Sequence, residues 1–565
     1  MERWWIKHAE RWKREQEALD AAGIRFTEDP AASASGKLVL HLSMESGGQP
    51  LRLTAHFPSS YPSFPPMVLA PDLRLRRHQT PGSHQLCLLK NEDDWNVGSD
   101  TLANLITEQL PRIFQSQPEV AGDERFEAHE GEPLTMYLEP EQCSFIGFPS
   151  FEIERLSAQG TLRLKVDSFR PLRGTVLDIR NADGTIVAEN EVVVGLPQDR
   201  NSIVTGRWIK LNSRPALATP AEYYALAKSF DPAFGTPHWQ SLRPGEGPRI
   251  DLIALLFSDE LEWRESAGNT IVISKRNEPG QPVKPAIHRT ELESRANYFV
   301  RDSKARSLQA GTVALVGLGS LGSCVAKRLA QSGIGELRLM DQDVLDAGNA
   351  IRWEIGRSAA GYPKASLLQS WIQANFPYTK VIGLHGKLGY PTTSVQEESA
   401  TDDLIFKGTD CVVDASASLR VMQYLSDTAR ARGIPYVWLY AGNGGWGGLV
   451  GRTGNAGNEL CWGCHMHYLS NVGFDQLPAA PEADVVQPPG CAHATFVGSQ
   501  VDMEEVALMG VRLALDEILV RVRSRTDRAY TWNFAMVRLR DAHGEPMLPV
   551  WTPYSLPPHD HCPNH

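Results

Sequence analysis

The feature that most constrains this chain is a glycine-punctuated junction past its midpoint. The apolar run Val313-Ala-Leu-Val-Gly leads into Gly317-Leu-Gly319-Ser-Leu-Gly322, a helical stretch to Ser332, and then Leu337-Arg-Leu-Met-Asp341. Strand, glycine turn, helix and second strand make a βαβ unit, which calls for a parallel sheet. Glycines let the backbone approach a phosphate closely, and the helix start aims N–H groups at it. Asp341 closes the second strand at the spacing of a carboxylate that holds ribose hydroxyls. On these residues alone, a nicotinamide oxidoreductase and an ATP-using enzyme fit equally well.

The residues that follow separate the two. Asp341-Gln-Asp343-Val, Asn349-Ala-Ile-Arg352 and Gly361-Tyr-Pro-Lys364 occur in succession. This order resembles the ThiF/HesA/MoeB superfamily, whose ubiquitin-activating members carry D-x-D-x-V, N-x-x-R and G-x-x-K. The resemblance implies a Rossmann-like adenylation domain over residues 290–565. Gly317, Gly319, Gly322 and Asp341 would hold the nucleotide, and Asn349, Arg352 and Lys364 would surround the phosphates of ATP. The chemistry agrees, since carboxylate attack on an α-phosphate spreads negative charge that Arg and Lys stabilise. One position departs from the family: in Val413-Asp414-Ala-Ser-Ala417, alanine stands where a D-x-x-D motif has its second Asp. Either Asp414 or Asp343 is then left to hold Mg2+.

Eight cysteines in 565 residues are too few for a disulfide scaffold, so they are expected as core residues, metal ligands or nucleophiles. Cys461-Trp-Gly-Cys464 and the tail Cys562-Pro-Asn-His565 form two hooks able to close a tetrahedral zinc site. His559 and His561 compete for the fourth place. The superfamily resemblance adds that its structural Zn2+ is held by such a split pair of hooks. Cys491 lies in a Pro/Gly-rich loop ahead of a helix expected near Ser499 or Asp502, where a helix dipole favours thiolate. By the resemblance it is the activating nucleophile. Cys324 and Cys411 read as core, and Cys143 has no assignment.

The N-terminal region carries Phe57-Pro-Ser-Ser-Tyr61-Pro62-Ser-Phe-Pro65-Pro66, followed by His78, Cys87-Leu, Trp95 and a helical stretch from Thr101. This resembles the Y-P-x-x-P-P signature and downstream order of ubiquitin-conjugating enzymes. It implies an α+β domain over 1–125 in which Cys87 accepts a thioester. The family's H-P-N triplet reads His78-Gln79-Thr80 here, and His84 stands close to Cys87 in sequence. Alternating stretches at Lys37–Leu42 and Leu51–Phe57 predict half-buried antiparallel strands. The acidic stretch from Gly122 to Glu132 reads as a linker. Residues 126–289 predict a β-rich α+β linker domain, with a hairpin about Asn181-Ala-Asp-Gly184.

A net charge of -11 argues against a general nucleic-acid or anionic-membrane binder. No run approaches the ~20 apolar residues of a spanning helix, and the first residues lack a signal peptide's apolar core. A cytoplasmic location is expected. The domain order resembles fused bacterial enzymes of ubiquitin-like pathways, some from anti-phage CBASS operons where the target is a cGAS-like nucleotidyltransferase. Others accompany a JAB-type peptidase. The resemblance implies ATP, Mg2+, a ubiquitin-like partner with a glycine-type tail, an amine-bearing target, and a homodimer through the adenylation domain. The implied sequence is adenylation, thioester on Cys491, transfer to Cys87, and attack by an amine. The alternatives are a sulfur-carrier-protein adenylyltransferase, or an activating enzyme whose conjugating-like domain only binds.

Overall fold

The computed structural model describes residues 3–89, 91–117, 131–192, 203–235, 249–260, 266–277, 284–302, 304–389, 395–453, 459–470, 476–480, 485–486 and 495–564. It divides into two compact units. The first comprises Met1–Glu191 with Gln198–Glu293, and the second Val192–Pro197 with Ser294–His565.

The first unit holds more than one core. At its start, helix Ala9–Ala21 precedes a four-stranded antiparallel meander, Arg25–Glu28, Leu38–Ser46, Gln49–Phe57 and Met67–Leu69, and helix Leu102–Gln115 follows. The central hairpin turns on Gly47 and Gly48, both at positive φ (57° and 76°), the geometry a two-residue turn needs between twisted strands. Leu51, Leu53, Ala55 and Phe57 are buried on one face while Arg52 points out, the alternation the sequence predicted. Buried Glu15 ties the two helices together. Its carboxylate accepts from the Leu102 backbone N–H at 2.9 Å and from the Tyr61 hydroxyl.

Residues from Leu134 onward build separate cores around a nine-stranded sheet. Strand Leu172–Asn181 pairs with Ile186–Glu189 about a turn whose Gly184 has φ 87°, where the hairpin signal stood. The long strands Arg249–Glu260 and Ser266–Asn277 pair along their whole length.

The second unit is an eight-stranded sheet. Its first five strands are parallel, in the order Lys380–His385, Glu336–Asp341, Thr312–Val316, Cys411–Asp414, Tyr436–Ala441. Three antiparallel strands, Gly447–Thr453, Phe534–Arg540 and Pro546–Tyr554, extend it. Helices Ser320–Gln331 and Gln500–Arg521 contribute to its core, the second through Val506, Val511 and Ile518. The strand order reverses beside Thr312–Val316. In open sheets of this kind ligands bind at that point, at the carboxyl ends of the strands. Among the described residues no helix is long and apolar enough to cross a membrane.

Candidate functional site

Three strand ends converge at the switch point: Val316, Asp341 and Asp414. Gly317 has φ 85°, and a Cβ there would stand 2.5 Å from the Ser416 backbone nitrogen. A Cβ on Gly322 would stand 1.8 Å from the Gly317 carbonyl oxygen, so neither position tolerates a side chain. At Gly319 the case is different, since a Cβ would meet nothing within 4 Å. That glycine is the N-cap of helix Ser320–Gln331, which begins without a side-chain cap. An uncapped helix start opening into space is a natural anion site.

Asp341 organises the loop. Its Oδ2 accepts from the Leu318 N–H at 2.5 Å and its Oδ1 from the Asp343 N–H at 2.7 Å. Burial pushes its carboxyl upward, with Lys364 and these two N–H groups working against the rise. The segment around Asp343 runs beside the one leading to Lys364. Leu345 N–H donates to the Tyr362 carbonyl at 3.0 Å, Gly361 N–H to the Leu345 carbonyl at 2.8 Å, and Lys364 N–H to the Asp343 carbonyl at 3.0 Å. This pairing places the buried Lys364 Nζ 2.9 Å from Asp343 Oδ2. Asn349 and the half-buried Arg352 lie on the intervening turn Ala347–Arg352. The next residue, Trp353, fastens that turn to the glycine loop by donating its indole N–H to the Leu318 carbonyl at 2.8 Å.

The two carboxylates left open for magnesium differ. Asp414 is sealed in the interior, where its oxygens accept from the Ser416 N–H at 2.8 Å and the Tyr436 hydroxyl at 3.0 Å. Burial pushes its carboxyl up to about 6 despite those bonds. Asp343 has a side chain 54% exposed. Ala417 takes a left-handed backbone, φ 53°, where the family places its second Asp.

Three thiols of the candidate metal centre come together. Cys461 Sγ lies 3.7 Å from Cys464 Sγ and 3.5 Å from Cys562 Sγ, all buried, although Cys562 is about a hundred residues away in sequence. Three soft donors at this spacing fit zinc, which asks for a fourth. His559 gives its backbone N–H to Cys464 Sγ at 3.2 Å, while its Nδ1 accepts from the His561 N–H at 3.2 Å. His565, the expected fourth ligand, and Cys491, the expected nucleophile, lie outside the described residues. The helix expected beyond Cys491 is Gln500–Arg521, capped by the Ser499 hydroxyl. Cys324 and Cys411 are buried, as expected of core residues.

Cys87, in the first unit, is exposed, and its thiol donates to the Leu89 carbonyl at 3.4 Å. It faces His78 across a short antiparallel ladder, with Cys87 N–H donating to the His78 carbonyl at 2.9 Å and Gln79 bridging Leu86. Gln79, in the altered triplet, is a buried brace that donates to the Ala70 carbonyl at 2.9 Å and accepts from the Leu75 N–H at 2.8 Å. His84 meets Arg74, its Nδ1 accepting at 3.2 Å. The residue the sequence did not single out is Glu132. It was read as the end of a linker, yet it is buried and grips His78 through the backbone N–H at 2.7 Å and through Nδ1 at 2.8 Å. Burial alone would raise its carboxyl, but His78 and the Tyr137 hydroxyl hold it down at about 2.

Comparison with known proteins bears on this geometry. Residues 293–519 match the model of the ThiF family. The y4oA protein of Sinorhizobium fredii is 27% identical across 99% of this chain and 97% of its own length. The SAMP-activating enzyme E1 of Haloferax volcanii is 26% identical over 27% of this chain and 55% of its own. The adenylyltransferase and sulfurtransferase UBA4 of Yarrowia lipolytica is 26% identical over 44% of this chain and 52% of its own. The second unit thus carries a ThiF-family adenylation domain.

Proposed function

We propose that this chain uses ATP to activate the C-terminal carboxylate of a ubiquitin-like protein, carries it as a thioester on Cys491 and passes it to Cys87 for attack by an amine. The observation that carries the reading is the Asp343–Lys364 pair, set beside the glycine loop by the 343–345 and 361–364 ladder. A dinucleotide site needs no buried lysine there, whereas adenylation does. The carboxylate oxygen attacks the α-phosphorus of ATP, the bond to the β-phosphate oxygen breaks, and pyrophosphate leaves. Lys364 and Arg352 offset the charge that spreads over the phosphoryl oxygens. An adenylation domain implies magnesium with its ATP, and the exposure of Asp343 favours it over the buried Asp414 as the carboxylate that would hold the ion.

The Cys491 thiolate then attacks the acyl adenylate and AMP departs. Exchange onto the exposed Cys87 moves the acyl group to a thiol that a target amine can reach. Zinc held by Cys461, Cys464, Cys562 and His565 would be structural, pinning the tail to helix Trp462–Ser470. Likeness to the SAMP-activating enzyme E1 supports a ubiquitin-like partner. Likeness to UBA4 favours a second reading, activation of a sulfur-carrier protein. The product distinguishes them: an amide to a target in the first case, a thiocarboxylate in the second. A defence role with a cGAS-like target, and a JAB-type peptidase acting in the same pathway, belong to the first reading.

Partner-dependent ATP–pyrophosphate exchange tests the site. Lys364→Ala and Arg352→Ala are each expected to lose about 2–4 kcal/mol of transition-state stabilisation, a drop of about thirtyfold or more in exchange rate. Cys491→Ala is expected to exchange normally but form no thioester. Near-normal exchange in both charge variants overturns the site.

A further inference from the structure

Glu132 lies far from Cys87 in sequence, and its contacts join the two parts of the first unit. Its backbone N–H donates to Glu260 at 3.3 Å, and its carbonyl accepts from Arg214 at 2.8 Å. Both partners belong to the domain built on the nine-stranded sheet. Glu260 in turn takes Arg77, the neighbour of His78, in a buried ion pair at 3.0 Å. Arg214 is anchored on Asp259 at 3.1 Å. The central domain therefore holds Glu132 rigidly, and Glu132 fixes both the backbone and the ring of the residue facing Cys87.

We propose that Glu132 and His78 are a positioning pair for Cys87, so that the central domain supplies part of the acceptor cysteine's site. A carboxylate at Nδ1 fixes the proton on that nitrogen and stabilises the charged ring. When an amine attacks the Cys87 thioester, the C–N bond forms, the C–S bond breaks, and Cys87 leaves with the electron pair. A charged imidazole opposite Cys87 offsets that thiolate, and the amine's proton passes to solvent. The Tyr137 hydroxyl, which also donates to Glu132, lies within electrostatic reach of Cys87. Its proton is held more tightly by burial, by Glu132 and by Cys87 itself. Of the other charged groups on this side, Arg77 is matched by Glu260 and Arg214 by Asp259, while Arg74 is engaged by His84. The central domain thereby provides polar support in a region whose own triplet lacks the family's asparagine.

This inference rests on the reading of Cys87 as acceptor, and its test is separable from that reading. Iodoacetamide alkylation of the full-length protein, followed on the Cys87 peptide by mass spectrometry, needs neither ATP nor a carrier protein. Glu132→Gln is expected to slow Cys87 alkylation about tenfold at pH 7 and to change its pH–rate profile. The exposed Cys143 serves as the internal control and should not change. His78→Gln, which keeps a donor for Glu132, should give the same slowing and keeps the test open where Glu132→Gln does not fold. The double variant should add nothing further. An unmoved Cys87 profile in a folded variant overturns the proposal, whatever the transfer assay shows.

Discussion

Two of the His–carboxylate pairs among the described residues of the first unit differ in what stands beside them. His78 meets Glu132 at 2.8 Å and faces the exposed Cys87. His288 stands 3.4 Å from Glu141 and 2.6 Å from the Ser274 hydroxyl, an arrangement with the spacing of a serine–histidine–acid triad. Ser274 is only 1% exposed, on a strand hydrogen-bonded on both sides, so no substrate carbonyl reaches its oxygen. On the proposed reading a His–carboxylate pair serves chemistry in one place, and in the other it packs a sheet. Access to the nucleophile, more than the hydrogen-bond pattern, separates the two.

The largest expected effect follows from that difference. Cys87→Ala should leave the carrier protein on Cys491 and reduce the amide product to background, while Ser274→Ala should leave the product rate unchanged. Thioester and amide bands on non-reducing and reducing gels distinguish these outcomes. Full product from Cys87→Ala would make the N-terminal domain a binding module and leave Cys491 as the nucleophile.

The next effect is on stability and concerns Glu132. Its carboxyl is lowered in the folded state, from an ordinary 4.5 to about 2, so it releases its proton more readily when folded. The stabilisation is therefore complete above about pH 4.5 and fades as pH falls towards 2, by up to about 3 kcal/mol. Glu132→Gln should lose that increment at neutral pH and show a flatter decline between pH 4.5 and 2. Denaturant midpoints across that range measure it. Equal slopes in wild type and variant would show that the His78 contact does not stabilise the carboxylate.

The two candidate regions were unequally legible in the sequence. At the glycine loop, the motif residues fall within Gly317–Lys364, and local geometry alone brings Asp341, Asp343 and Lys364 together. Spacing carries the information when one βαβ unit and its following turn build the site. The Cys87 region instead depends on Arg77 meeting Glu260 and His78 meeting Glu132, pairs 183 and 54 residues apart. No periodicity reports such contacts, and an acidic stretch next to a linker gives no hint that its last residue is buried. The one available signal was the altered triplet, which pointed to missing local support without locating its replacement. The thiol cluster is intermediate: Cys461 and Cys464 announce themselves by spacing, and Cys562 was joined to them as a second hook with a matching ligand set, which the family resemblance supported.

The smallest expected effect tests whether the buried pair only packs. Ser274→Ala removes the hydroxyl that meets His288 Nε2 at 2.6 Å in a site closed to water. Losing one partner of a buried hydrogen bond costs about 1–3 kcal/mol, because the remaining group keeps its desolvation cost. The strand should survive, since Ser274 also pairs through its backbone with Leu252 and Ala286. Adding His288→Phe in the Ser274→Ala background should restore part of the loss, as an apolar ring asks nothing of the missing hydroxyl. The comparison is best read as a double-mutant cycle in urea, with Cys87 alkylation monitored in parallel as a readout of the other pair. A purely structural pair moves the urea midpoint and leaves the alkylation rate alone. A change in Cys87 reactivity on altering Ser274 would mean that the two histidine sites communicate through the central sheet, and the distinction drawn between them would fail.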